Sequence, residues 1–152
     1  EISACLVGSE MCIRDSPYFN TFGGNPVSIA AAQAVLKYIK DENLKEHCKK
    51  AGAALLKALK EVQERHPESV GDVRGAGLFL GFEFVKNDGN KTPDKDMALN
   101  VIEMLRDEHI LTSVIGHYGN ILKLRPPMVF SENDIDWFAT SLDKCITKLE
   151  NK

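Results

Sequence analysis

No apolar stretch of this 152-residue chain approaches the length of a bilayer-crossing helix, so the reading is of a protein without a membrane partner. Excess base is also missing. Nineteen Lys and Arg stand against twenty-two Asp and Glu, a net charge of −3, with no basic cluster, which excludes a nucleic-acid footprint. Cysteine is scarce and unpatterned: Cys5, Cys12, Cys48 and Cys145 form no metal-ligand spacing. No internal repeat or low-complexity tract interrupts the chain, and no basic start leads into an apolar run of the signal-peptide kind. What remains is 43% hydrophobic and 27% charged, a composition fit for one globular domain with its own core.

The most distinctive run present is Asn20-Thr21-Phe22-Gly23-Gly24-Asn25-Pro26, which opens an alanine-rich segment. Glycines permit positive φ and close backbone approach, Asn25 suits an N-cap, and Pro26 suits the first helical position. The free amides and dipole at such a helix start favour a phosphate or carboxylate, although the run taken alone is also compatible with an ordinary capped turn. A helix is expected over Pro26 to Ile39. A second, from about Asp41 to Arg65, sets Leu44, Cys48, Ala51, Leu55, Leu59 and Val62 in one apolar stripe before His66-Pro67 ends it.

Farther on, Leu78, Leu80, Phe82 and Phe84 alternate with Phe79, Gly81 and Glu83 as in a strand. Asn87-Asp88-Gly89-Asn90 is a turn, and Thr92-Pro93 caps a helix to about Glu108 with Met97, Val101, Met104 and Leu105 inward. Strands are expected over Ile110 to Ile115 and over Ile121 to Arg125, joined by the loop Gly116 to Asn120 and stopped by Pro126-Pro127. Ser131 and Asp134 have capping-box spacing for a last helix whose stripe is Ile135, Phe138, Leu142, Cys145 and Leu149. The order describes an α+β fold, a mostly antiparallel sheet covered by helices on one face.

Within Ile121 to Arg125, alternation sends Lys123 and Arg125 to one face and Leu122 and Leu124 to the other. From spacing alone the two cations fit either an anion site or the solvated face of an edge strand. Arg74, between Val73 and Gly75, reads as a structural anchor hydrogen-bonded to loop carbonyls. His117 and Tyr118 lie in a loop near the cationic strand and are candidates for a pocket border. His47, His66 and His109 read as surface or helix-end residues, and Trp137 and Phe138 as core or domain-contact residues.

Three blocks in order carry a resemblance: Tyr18 to Ser28 (YFNTFGGNPVS), Asp72 to Leu78 (DVRGAGL) and Asn120 to Met128 (NILKLRPPM). Together they resemble class III aminotransferases, pyridoxal-phosphate enzymes of fold type I, over Pro17 to the end. The resemblance implies that residues 41–152 form the small C-terminal domain of that fold and that 17–40 carry the phosphate motif and an inter-domain helix. It implies pyridoxal 5'-phosphate as cofactor, with Asn20 and Thr21 reaching the cofactor phosphate of the other subunit of a homodimer. Where the family usually has an arginine gripping the substrate carboxylate, this chain has Lys123, so Lys123 and Arg125 become the substrate-binding pair. The Lys-x-x-Pro-Pro-Met pattern is more similar to the phospho-lyase branch, which eliminates phosphate and ammonia from phosphoethanolamine or 5-phosphohydroxy-L-lysine. A transaminase of the alanine-glyoxylate type is the alternative within the family, and a non-catalytic anion-binding or dimerisation module is the alternative outside it. A mitochondrial or cytoplasmic address follows by resemblance only.

Residues 1–16 do not share it. Leu6 to Ser16 corresponds to the translation of a nucleotide string resembling a transposase sequencing-library adapter, so this segment is expected to be non-native and without stable structure. The family's Schiff-base lysine precedes the Asn-Thr-Phe-Gly-Gly block, and no matching lysine stands there. The chain by itself is therefore expected to be catalytically incomplete.

Overall fold

The computed structural model describes residues 21–151. By Cα proximity the chain divides into two units, 1–38 and 39–152. The expectation for residues 1–16, and that for Asn20, lie outside the described residues.

The helix α1 (Pro26–Asp41) begins as its sequence dictates. Gly24 takes φ +75, Pro26 stands in the first turn, and the Asn25 side chain accepts a hydrogen bond from the Ser28 amide at 3.0 Å. None of its residues is buried.

Asn43, at φ 50, separates α1 from α2 (Leu44–Arg65). The predicted stripe is present: Leu44, Ala51, Leu55, Leu59 and Val62 are buried, and Cys48 is half-buried. Two strands follow, β1 (Val70–Ala76) and β2 (Phe79–Phe84), paired antiparallel across the tight turn Gly77-Leu78. Strand β1 has no counterpart among the expected strands, because a register shift between Val70 and Asp72 breaks the period-two signal.

The remaining elements are α3 (Lys95–Asp107), β3 (Ser113–Ile115), β4 (Ile121–Leu124) and α4 (Glu132–Glu150). The cap of α3 is Asp94, whose carboxylate accepts the Met97 amide at 2.9 Å; Pro93 is engaged in a bridge with Val85 instead. Strand β3 is shorter than the expected Ile110 to Ile115. The capping box of α4 forms as anticipated between Ser131 and Asp134.

The sheet has the order β1-β2-β4-β3 with every neighbouring pair antiparallel. On its inner face Val73, Phe82, Leu122 and Val114 align in one row across the four strands. Phe82 and Phe84 are fully buried and meet edge-on with ring centroids 5.3 Å apart. Helices α2, α3 and α4 cover this face, with α4 packed on both others. The result is the expected α+β layer, an antiparallel sheet covered by helices on one face.

Candidate active-site surface

Because side chains alternate across a strand, burying Phe82, Leu122 and Val73 commits their neighbours to the outer face. Two cross-strand rows result. The first reads Arg74, Gly81, Lys123, Ser113; the second reads Asp72, Glu83, Ile121, Ile115. The expected common face of Lys123 and Arg125 is present, since Leu122 and Leu124 are both buried beneath it.

Lys123 and Arg125 border one cleft of about 530 Å3, together with Thr112, Pro127, Phe130 and Trp137. Thr112 donates its hydroxyl to the Lys123 carbonyl at 3.1 Å, which pins the strand carrying the ammonium. The Arg125 guanidinium lies 5.7 Å from the Phe79 ring centroid, a cation–π contact. The Pro126-Pro127 loop beyond it is held by α2: His47 Nε2 lies 3.0 Å from the Phe130 carbonyl, and the Cys48 thiol donates to that of Met128 at 3.6 Å. Among the described residues, Lys123 and Arg125 form no ion pair, whereas Arg65, Arg74, Arg106 and Lys144 each hold a carboxylate. The cleft thus carries two cations open to an added anion.

Arg74 is structural, as expected, but its partners are carboxylates rather than loop carbonyls. It donates to Asp72 at 2.7 Å and to Glu83 at 2.6 Å. The Glu83 bond, then the Asp72 bond, raise its pKa above the ordinary arginine value. The other Glu83 oxygen accepts from the Asn120 amide at 3.4 Å, and the same Asn120 nitrogen reaches the Phe84 carbonyl at 2.8 Å.

Other candidates are placed differently. His117 and Tyr118 are exposed and contact one another edge-on, outside the cleft. His66, expected at the surface or a helix end, is the C-cap of α2 and is buried. Its Nδ1 lies 2.7 Å from Glu150 and its Nε2 3.1 Å from Asp143, joining the end of α2 to α4. His109 lines the cleft, at a helix end as expected, and Trp137 lines it while Phe138 below joins the core. No pattern in the sequence points to Thr112 or Phe130, since their contacts depend on where the β3 lead-in and the proline loop meet. Burial raises the Cys145 thiol pKa, which fits an inert packing residue.

Thr21 and its neighbours Phe22, Gly23 and Gly24 are exposed at the head of α1. A Cβ on Gly24 would meet nothing within 4 Å, so the turn is open on that side.

Residues 6–146 match the family model for aminotransferase class III. The chain belongs to the class III aminotransferase family. It is 46% identical over 131 residues to ethanolamine-phosphate phospho-lyase homolog 1 of Caenorhabditis elegans, covering 86% of this chain and 28% of that protein. With alanine–glyoxylate aminotransferase 2 homolog 2 of Arabidopsis thaliana, described as mitochondrial, identity is 38%, covering 87% of this chain and 28% of that one. Among solved structures, a phospholyase from Arthrobacter in complex with phosphoethanolamine superposes with a TM-score of 0.82 at 36% identity, covering 95% of this chain and 34% of that one. This class III chain therefore spans about a third or less of the length of these relatives. Its sheet and helices are those of pyridoxal-phosphate enzymes of fold type I. Among the described residues, no helix is long and apolar enough to cross a membrane.

Proposed function

We propose that this chain is part of a pyridoxal-phosphate-dependent phospho-lyase that eliminates phosphate and ammonia from a phosphorylated amine such as phosphoethanolamine or 5-phosphohydroxy-L-lysine. The observation that carries the reading is Lys123. It is an unpaired ammonium on the cleft, where the family usually presents arginine. A lysine is a compact point charge suited to phosphate as well as carboxylate, whereas the planar arginine fork favours the bidentate carboxylate grip of ordinary transaminases. The similarity to phospho-lyases of Caenorhabditis elegans and Arthrobacter supports the same branch.

The residues at the head of α1 fit the cofactor's phosphate. Thr21 offers a hydroxyl, the open Gly24 turn admits close approach, and the positive end of the helix dipole favours an anion. We assign Asn20 and Thr21 to that phosphate across a homodimer interface. Pyridoxal phosphate, when bound, supplies the electron sink for carbanion chemistry. In this scheme Lys123 neutralises and orients the anionic end of the substrate, Arg125 adds a second charge held by the Phe79 ring, and the proline loop narrows the cleft.

The deciding experiment supplies phosphoethanolamine and phosphohydroxylysine to the intact, cofactor-loaded protein and measures inorganic phosphate and ammonia. Phosphate release stoichiometric with ammonia supports the reading. Pyruvate- or glyoxylate-dependent amino transfer without phosphate release would overturn it in favour of a transaminase, the reading to which the Arabidopsis relative points.

A further inference from the structure

The outer face of the sheet places one carboxylate between two cations. Glu83 pairs across β1 with Asp72 and across β4 with Ile121, while Arg74 and Lys123 flank Gly81 on its two sides. Arg74 and Lys123 are therefore diagonal neighbours of Glu83 on opposite strands, a separation that long side chains span. Gly81 has no side chain to stand between them. Only one of the two cations takes the carboxylate: Arg74 holds Glu83 at 2.6 Å and Asp72 at 2.7 Å, Asn120 approaches the second Glu83 oxygen, and Lys123 has no ion pair.

We infer that Arg74 is a positioning residue that sequesters Glu83, keeping the Lys123 ammonium free for the anionic group of the substrate. This rests on the reading of Lys123 as the substrate cation. One guanidinium nitrogen of Arg74, Nη1, donates to Asp72 and Glu83 together, two charge-assisted bonds that hold Glu83 toward β1. Without it, Glu83 keeps only the long bond to Asn120, and its charge turns to the other cation diagonal to it, Lys123. A substrate phosphate then competes with an internal carboxylate.

The test uses the intact, cofactor-loaded protein. Arg74→Met is expected to raise the KM for phosphoethanolamine, and the inhibition constant of inorganic phosphate, by about tenfold with kcat little changed. The double variant Arg74→Met/Glu83→Gln restores both, Glu83→Gln alone raises neither, and Arg74→Lys, which retains a cation for Glu83, lies nearer the parent than Arg74→Met. A crystal structure of Arg74→Met is expected to show Glu83 within about 4 Å of the Lys123 ammonium. Failure of Glu83→Gln to rescue, or a crystal structure with Glu83 still turned from Lys123, overturns the inference. The underlying reading fails separately, when Lys123→Ala leaves KM unchanged; the crystal structure then still decides whether Arg74 withholds Glu83.

Discussion

At Gly52, on the buried side of α2, a hydrogen atom stands where any other residue would place a carbon into the backbone of Gly77. The helix touches the β1–β2 turn there with nothing between. Gly52→Ala is therefore expected to destabilise the protein by about 2–3 kcal/mol or to push the turn off the helix, read as a lowered denaturant midpoint. The opposite kind of residue is Asn120, fully buried because its amide satisfies the Phe84 carbonyl. Asn120→Leu removes one of that carbonyl's two donors, the Asp94 amide at 3.1 Å being the other, and is expected to cost about 1 kcal/mol, measured the same way. At the exposed head of α1, Thr21→Ala is expected to weaken cofactor retention by roughly 0.5–3 kcal/mol, the range for a neutral or charge-assisted hydrogen bond, checked by dialysis of the loaded protein. At this scale the sequence was informative where backbone chemistry decides, as at Asn25, Pro26 and Ser131. It was silent where distant contacts decide. His66 reads as a helix-end residue until α4 brings Asp143 and Glu150 to its two ring nitrogens.

Elements with clean periodicity were legible. The stripes of α2, α3 and α4 and the alternation in β2 and β4 name most of their buried residues, because a single face of each meets the core, but Cys48, Leu78, Met97, Met104 and Leu149 are only half-buried, and the buried Ala98 and Ile146 were not among the expected residues. Strand β1 was not, since VGDVRGA carries two glycines and a bulge, and only Val70 and Val73 are buried. The shared face of Lys123 on β4 and Arg125 just beyond its end was legible by alternation alone. The cleft around it was not, because its walls come from the β3 lead-in, the proline loop and α4. Caps are the most local of these features, and their cost is correspondingly local: Asp94→Ala removes the acceptor for the Met97 amide and is expected to lower stability by about 1 kcal/mol, with α3 amides exchanging faster.

For the molecule as a whole, acid is the destabilising direction. Hydrogen bonds from Ser131 lower the pKa of Asp134, those from Lys144 lower that of Glu108, and those from Thr92 lower that of Asp88. Each folded pKa lies below its ordinary value, 3.8 for the aspartates and 4.5 for Glu108, so the stabilisation is complete above those values and lost as pH falls through the folded ones. The denaturant midpoint is expected to decline below that range, and Asp134→Asn to flatten the decline. A constant midpoint down to acid pH would contradict it. The strand order has its own consequence for how the chain is made. Strand β1 can pair with Phe79–Phe84 as soon as the turn emerges, but the other edge of that strand waits for Ile121–Leu124, which follow α3 in the chain. During synthesis the hairpin thus passes through an interval with one unsaturated hydrophobic edge. In that interval the charge of Glu83 is expected to discourage two nascent chains from joining edge to edge.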